Sequence, residues 1–327
     1  MRITVNNALL FALLALGCSV GLSAPTASEK LALEVARALA DACPVAAADS
    51  LPARDACAQA LAQMALLKDS MRTPFFWGAQ RLDAGYDYAA AVKTVFNPLV
   101  FRKMYLSTFM FPGGATVIQA GAGLVIARIP VKFRGAMDSG SYPYPFWHSL
   151  RKWTSYSCTQ NLLLYVQDGK VIGGLRAADE PEACTPDNRA WTWDGRWTWD
   201  GGAGKEEPRN TLYSFLFSAN NPHVAKLEQA YRDLELRLRS QNCLTCHSPD
   251  NAYEMNPLEL LSYPNQALSG RHGLVSQLEA NLMPPPEGDA GRGLQSEQAR
   301  QELLALSKTF ARAGDEALAF EDALVAP

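Results

Sequence analysis

Cys243-Leu244-Thr245-Cys246-His247 is the stretch on which the reading of this chain turns. Two thiols two residues apart, with a histidine directly behind the second, suit the covalent attachment of a c-type haem. Each thiol adds to one vinyl group of the porphyrin to form a thioether, and the histidine offers an axial imidazole nitrogen to iron. The same pair would also suit a disulfide, a thioredoxin-like redox couple or half of a zinc site. A thioredoxin-like couple opens a helix after a strand, whereas this one closes a helical stretch. A four-ligand zinc site calls for a second pair nearby, and the chain holds no other Cys-x-x-Cys. The expectation is one covalently attached haem c, anchored by Cys243 and Cys246, with His247 as an axial ligand.

The two ends of this reasoning meet at the start of the chain. Residues 1–23 carry Arg2, the apolar run Ala8 to Leu16, and small residues at Gly21 and Ser23 before Ala24. That order is the order of a secretory signal peptide, too short for a stable membrane span. Covalent haem is attached outside the bacterial cytoplasm, so a periplasmic location fits both features. Ala15-Leu16-Gly17-Cys18 is a poor lipoprotein box, and a lipid anchor at Cys18 is the less favoured outcome. No other stretch reaches 18 apolar residues, so no transmembrane span is expected.

Of the seven cysteines, Cys18 lies in the leader and two belong to the haem pair. The remaining four fall into two local pairs, Cys43 with Cys57 and Cys158 with Cys184. Disulfides persist in the periplasm, so two bridges are expected, with four buried free thiols as the alternative. The length of 327 residues suggests about two domains. A composition 48% hydrophobic and 19% charged supplies material for two cores, and with a formal charge of −3 nothing basic enough for nucleic acid appears, so no nucleic-acid partner is expected.

The region 24–220 reads as α+β. Leu31, Val35 and Leu39 space a helix over Ser28–Ala42, and Ala60, Leu61, Met64 and Leu67 space a second over Ala53–Lys68. Cys43 and Cys57 then staple a helical hairpin. Residues 72–96 read as irregular and aromatic. Asn97-Pro98 starts a further helix, with Phe101, Tyr105 and Phe109 on one face and Pro112-Gly113-Gly114 as its stop. Ala115–Ala120 and Leu124–Phe133 read as a strand pair, with Pro130 at an edge or bulge. Leu162–Gln167 and Lys170–Arg176 flank Asp168-Gly169, the strongest hairpin signal in the chain. Trp191-Thr192-Trp193 and Trp197-Thr198-Trp199 read as a tryptophan hairpin. Residues 112–215 thus form an expected antiparallel sheet. The segment Ser141–Tyr156 is rich in aromatics and proline. It holds His148 and Lys152, each either an ordinary packed residue or a group serving a ligand or the haem.

The region 221–327 reads as all-α. Val224, Leu227, Tyr231, Leu234 and Leu238 form an amphipathic stripe that delivers the helix end at Cys243. Leu274, Leu278 and Leu282 mark a middle helix ending at Met283, which Pro284-Pro285-Pro286 follow. Ser296 caps a last helix whose Leu303, Leu306 and Phe310 would pack on the Tyr231 stripe.

On the haem motif and the Asn281-Leu282-Met283-Pro284-Pro285 segment 36 residues beyond His247, residues 221–314 resemble a class I cytochrome c domain. The resemblance implies an N-terminal helix ending in the haem motif, a middle helix leading to a loop with a distal methionine, and a C-terminal helix crossing the first. It implies His247 and Met283 as axial ligands; the chain's own spacing leaves His272, Met255 or an empty position as rivals for the second. The expected function is single-electron transfer by a monohaem cytochrome that meets a redox partner protein. Its α+β domain would dock that partner or bind a small-molecule ligand. The alternative is a haem enzyme or gas sensor with an open or labile sixth iron site beside the aromatic domain.

Overall fold

A computed structural model describes residues 24–71, 75–80, 92–136, 156, 158–177, 213, 216–247, 264–284, 294 and 296–324. The leader with Cys18, the tryptophan repeat, His148, Lys152, Cys184 and Met255 lie outside the described residues.

Helix α1 spans Ala27–Ala42. Thr26 caps it with a reciprocal capping box: Glu29 N donates to Thr26 Oγ1 at 3.2 Å, and Thr26 N donates to Glu29 Oε2 at 2.6 Å. Helix α2 spans Leu51–Gln63, with Ser50 as its cap. The expected single second helix is broken. Met64 is extended, with φ −75° and ψ 106°, and a short α3 follows at Ala65–Ser70. Cys43 and Cys57 are bridged, with their Cα atoms 4.7 Å apart, closing a loop of 14 residues. On the chain-entropy view this bridge stabilises the hairpin by about 3 kcal/mol.

The expectation that 72–96 is irregular fails at its described residues, 75–80 and 92–96. Strands β1 (Phe75–Gln80) and β2 (Val92–Phe96) form there and pair antiparallel. The segment from Asn97 to Thr108 is helical but not a regular α-helix. A π-helical turn over Val100–Tyr105 tightens into a 3-10 turn at Leu106–Thr108. Phe109 is therefore not on a helix but opens a short strand, β3 (Phe109–Met110), so the helix stops before the glycines. The aromatic stripe survives as packing, with Phe101 stacked on Tyr105 at 4.9 Å and Tyr105 edge-on to Phe109 at 5.6 Å.

Strands β4 (Thr116–Gln119) and β5 (Val125–Pro130) pair antiparallel as expected. The run to Phe133 does not continue, because β6 (Lys132–Phe133) leaves to pair with β3. Pro130 pairs with Asn161 on one side only, where β4 no longer reaches, so its missing N–H costs no ladder bond there. Strands β7 (Asn161–Gln167) and β8 (Lys170–Ala177) form the Asp168-Gly169 hairpin. Asp168 and Gly169 both have positive φ, 49° and 68°, as a two-residue turn matched to strand twist requires.

The main sheet runs β2-β1-β8-β7-β5-β4. It is mixed rather than wholly antiparallel, because β1 lies parallel to β8, with Trp77 opposite Gly174. Helix α1 packs on β4, β5 and β7. Alternate residues serve the two faces: Val125, Ala127, Leu162 and Leu164 join the main core, while Ile126, Leu163, Tyr165 and Leu175 form a second cluster.

The C-terminal region is helical: α4 (Val224–Ser240), α5 (Leu244–His247), α6 (Pro264–Glu279) and α7 (Glu297–Leu324). Leu227, Tyr231, Leu234 and Leu238 are buried as the stripe predicts, each contributing about 1.5–3 kcal/mol by leaving water. Helix α7 packs on α4 and α6, with Tyr231 and Phe310 rings 5.8 Å apart. Contacts cross from one region to the other. Asn97 N donates to Ser269 Oγ at 2.8 Å, and the Lys68 ammonium donates to the Asp322 carbonyl. Glu321 accepts from Ser218 N at 2.7 Å and from Asn221 Nδ2 at 3.0 Å. Buried residues from both regions, Ala32 to Leu318, join one apolar cluster.

Candidate functional site

Helix α4 ends on Gln241, and Asn242 takes the left-handed conformation with φ 64°. Cys243 N then donates back to Leu238 O at 3.2 Å, and Asn242 N to Arg239 O at 3.1 Å. These are the two bonds of a Schellman stop, in which asparagine tolerates the conformation better than most residues. The stop frees the chain from the α4 axis just before the first thiol. One new helical turn follows: Cys246 N and His247 N both donate to Cys243 O, at 3.2 and 2.9 Å. Cys243 and Cys246 therefore stand three apart on one turn, where side chains share a side, with His247 a residue further on. Neither thiol is in a disulfide, and both are half-buried, as is His247. No strand leads into this turn, as the thioredoxin-like reading would need.

Burial, followed by the neighbouring Cys246, pushes the Cys243 thiol from about 9 up to about 11. In haem-free protein at pH 8 the Cys243 thiolate is then about a hundredfold scarcer than for an ordinary thiol, since each pKa step is tenfold. Its alkylation by iodoacetamide, followed by peptide mass spectrometry, should rise through pH 11 rather than 9. The folded state also loses stability as pH climbs from the unfolded thiol's pKa towards 11, because the unfolded chain releases this proton first. Alkylation as fast as in a denatured control at pH 8 would contradict the burial.

The Met283 segment is launched in the same way. Helix α6 stops at Glu279, earlier than the leucine spacing predicts. Asn281 has φ 55°, Leu282 N donates to Gln277 O at 2.9 Å, and Asn281 N to Leu278 O at 3.3 Å. This second Schellman stop turns Leu282 outward, 54% exposed, and leaves Met283 half-buried. Asn242 and Asn281 thus position the two candidate ligand segments, and sequence reasoning missed both. The available signal was an asparagine directly after the last residues of a helix.

His272, the rival ligand, lies on the exposed side of α6. Its Nε2 is 3.0 Å from Asp315 Oδ1, a carboxylate also held by Arg271 Nε at 2.8 Å. Cys158 is disulfide-bonded, and its expected partner Cys184 lies outside the described residues. Among the described residues no group of three or more His, Cys, Asp or Glu side chains gathers to hold a bare metal ion. What one turn does carry is two thiols outside any disulfide and an imidazole, the residue types that thioether attachment and ligation of a haem would use.

Compared with known proteins, the chain matches no family model, no curated protein and no solved structure. No helix among the described residues is long and apolar enough to cross a membrane.

Proposed function

We propose that this chain is an exported, monohaem c-type cytochrome that passes single electrons. The observation that carries the reading is the Cys243–His247 turn, with both thiols outside any disulfide and on one side of a single helical turn. A haem held there would supply a one-electron couple. The chain's own residues do the rest. Cys243 and Cys246 would anchor the ring through thioethers, and His247 would supply an imidazole nitrogen to the iron. The Asn242 stop and the α4–α7 packing fix the turn. Met283, set by the Asn281 stop, is the proposed second ligand. Methionine and histidine together raise the reduction potential and keep small molecules from the iron. The α+β region serves as the docking or ligand-binding part of the molecule.

The test is expression with export and a haem-maturation system, followed by acid–organic extraction and optical spectra. The wild-type chain should retain haem through extraction and give a low-spin spectrum indifferent to carbon monoxide. The Cys243→Ser, Cys246→Ser double variant should lose all non-extractable haem. Failure of the wild type to retain haem would end the proposal. A high-spin spectrum that moves with carbon monoxide would replace electron transfer by the enzyme or sensor reading.

A further inference from the structure

The first turn of α1 and two turns of the main sheet flank a cleft of about 350 Å³ in the α+β region. Thr26, Ala27 and Ser28 form its helical wall, and Val125, Asp168 and Gly169 line it from the sheet, with Gln119 at the end of β4. The two sheet turns stand side by side because β5 pairs with β7, and Gln167 Nε2 ties them by donating to Ala122 O at 3.3 Å. The capping box takes Thr26 N–H and Glu29 N–H, and Lys30 N donates to Thr26 O at 3.0 Å. Among the described residues this leaves Ala27 N–H and Ser28 N–H without an acceptor at the positive end of the helix. Ser28 is only 7% exposed and shares the inward side of α1 with Ala32, Val35 and Leu39, so its hydroxyl is turned towards the sheet and the cleft. Among the described residues that hydroxyl has no hydrogen-bond partner, although an enclosed hydroxyl ordinarily has one. Asp168, held at φ 49° on the β7–β8 turn, brings a carboxylate to the same cleft and makes no ion pair among the described residues.

These groups select their ligand by charge. A bare anion suits the helix N–H groups but meets the Asp168 carboxylate. A bare cation suits Asp168 but meets the positive end of the helix. A molecule carrying both charges satisfies both walls. We infer that this cleft binds a small zwitterion, an α-amino acid. Its carboxylate accepts from Ala27 N–H, Ser28 N–H and the Ser28 hydroxyl, its ammonium pairs with Asp168, and Val125 supplies the apolar part of the wall. A cleft of this volume is within the range of small-molecule sites, which combine an apolar lining with a few placed polar groups. The inference rests on the ligand-binding role proposed for the α+β region and on no residue of the haem turn, so its failure leaves the haem reading standing.

The experiment titrates the full exported chain by calorimetry with each standard L-amino acid, then with the deaminated and the decarboxylated counterpart of whichever binds. At least one amino acid should bind saturably and raise the melting temperature by about 5 °C at a hundred times its dissociation constant. Each counterpart lacks one of the two charges and should bind at least about tenfold more weakly, as expected when a charge-assisted hydrogen bond is lost. Asp168→Asn should fold, because asparagine accepts the positive φ of this turn, and should also lose at least about tenfold in affinity. Ser28→Ala, which the helix accepts readily, should lose affinity several-fold. Wild-type protein that binds no amino acid saturably overturns the inference. So does a counterpart that binds as tightly as the amino acid itself, and so do variants that bind as tightly as wild type.

Discussion

Met283→Ala should leave haem covalently attached to the chain and yield a protein that binds carbon monoxide readily, where the wild type does not. The expectation rests on the division of labour proposed for the site. Covalent attachment needs only Cys243 and Cys246, both on the turn after α4 and untouched by the substitution. The second axial position depends on a segment 36 residues away, set by the stop at Asn281. Truncating a half-buried methionine costs less than the 2–5 kcal/mol of a fully buried one, so about 1–2 kcal/mol of stability should go with it and the fold should remain. The reduction potential should fall, because methionine ligation raises it. Replacement by His272 is disfavoured by geometry, since that ring is 64% exposed and its Nε2 faces Asp315. Carbon monoxide difference spectra and a redox titration of the two proteins decide the matter. A variant that stays low-spin and inert to carbon monoxide would remove Met283 from the site.

What was legible in the chain was whatever local chemistry determines. The Tyr231 stripe, the Ser296 cap and the Asp168-Gly169 turn each act within a few residues, and each appears where expected. The Cys43–Cys57 bridge also closes a short loop. What was not legible depends on partners far along the chain. Strand β1 was hidden because it lies parallel to β8 about a hundred residues away, with no shared turn to announce the pairing. The aromatic density of 72–96 suggested irregular packing, whereas Phe75–Gln80 and Val92–Phe96 extend the sheet. Phe109 fitted the four-residue spacing of a helix, yet it pairs with Phe133 in a two-strand ladder that no local propensity forecasts. The break at Met64 has no glycine or proline to mark it. At the candidate site the thiols and imidazole were plain from spacing, whereas the two asparagine stops needed the backbone to be seen. The cleft beside Ser28 was invisible for a related reason: a serine at a helix start reads as a cap until its burial is known.

Gly174→Ala should be strongly damaging for so conservative a change, more so than at any other described glycine of the α+β region. Gly174 sits on β8, between Trp77 of β1 in the parallel pairing and Leu164 of β7 in the antiparallel one. Its φ is not in the left-handed region, so the backbone itself would accept alanine, and removing a glycine from a strand ordinarily stabilises by about 0.5–1 kcal/mol. Space decides against it. A Cβ at this position would lie 2.5 Å from Phe101 Cζ, 3.1 Å from Phe101 Cε2 and 3.2 Å from Leu164 Cδ2. Phe101 is fully buried and stacked on Tyr105, so its rigid ring has nowhere cheap to go. Overpacking of this kind costs about 1–3 kcal/mol or slightly more, and the net effect here should be a loss of about 2 kcal/mol. That corresponds to a fall in melting temperature of about 4–8 °C. The close approach explains why the π-helical turn carrying Phe101 can lie against the strand at all. A second substitution isolates the cause. Phe101→Leu alone should destabilise by opening a cavity, but in combination with Gly174→Ala the loss should be smaller than the sum of the two. A coupling of about 1 kcal/mol in that cycle would locate the strain at this contact. Strict additivity would place the damage elsewhere in the strand.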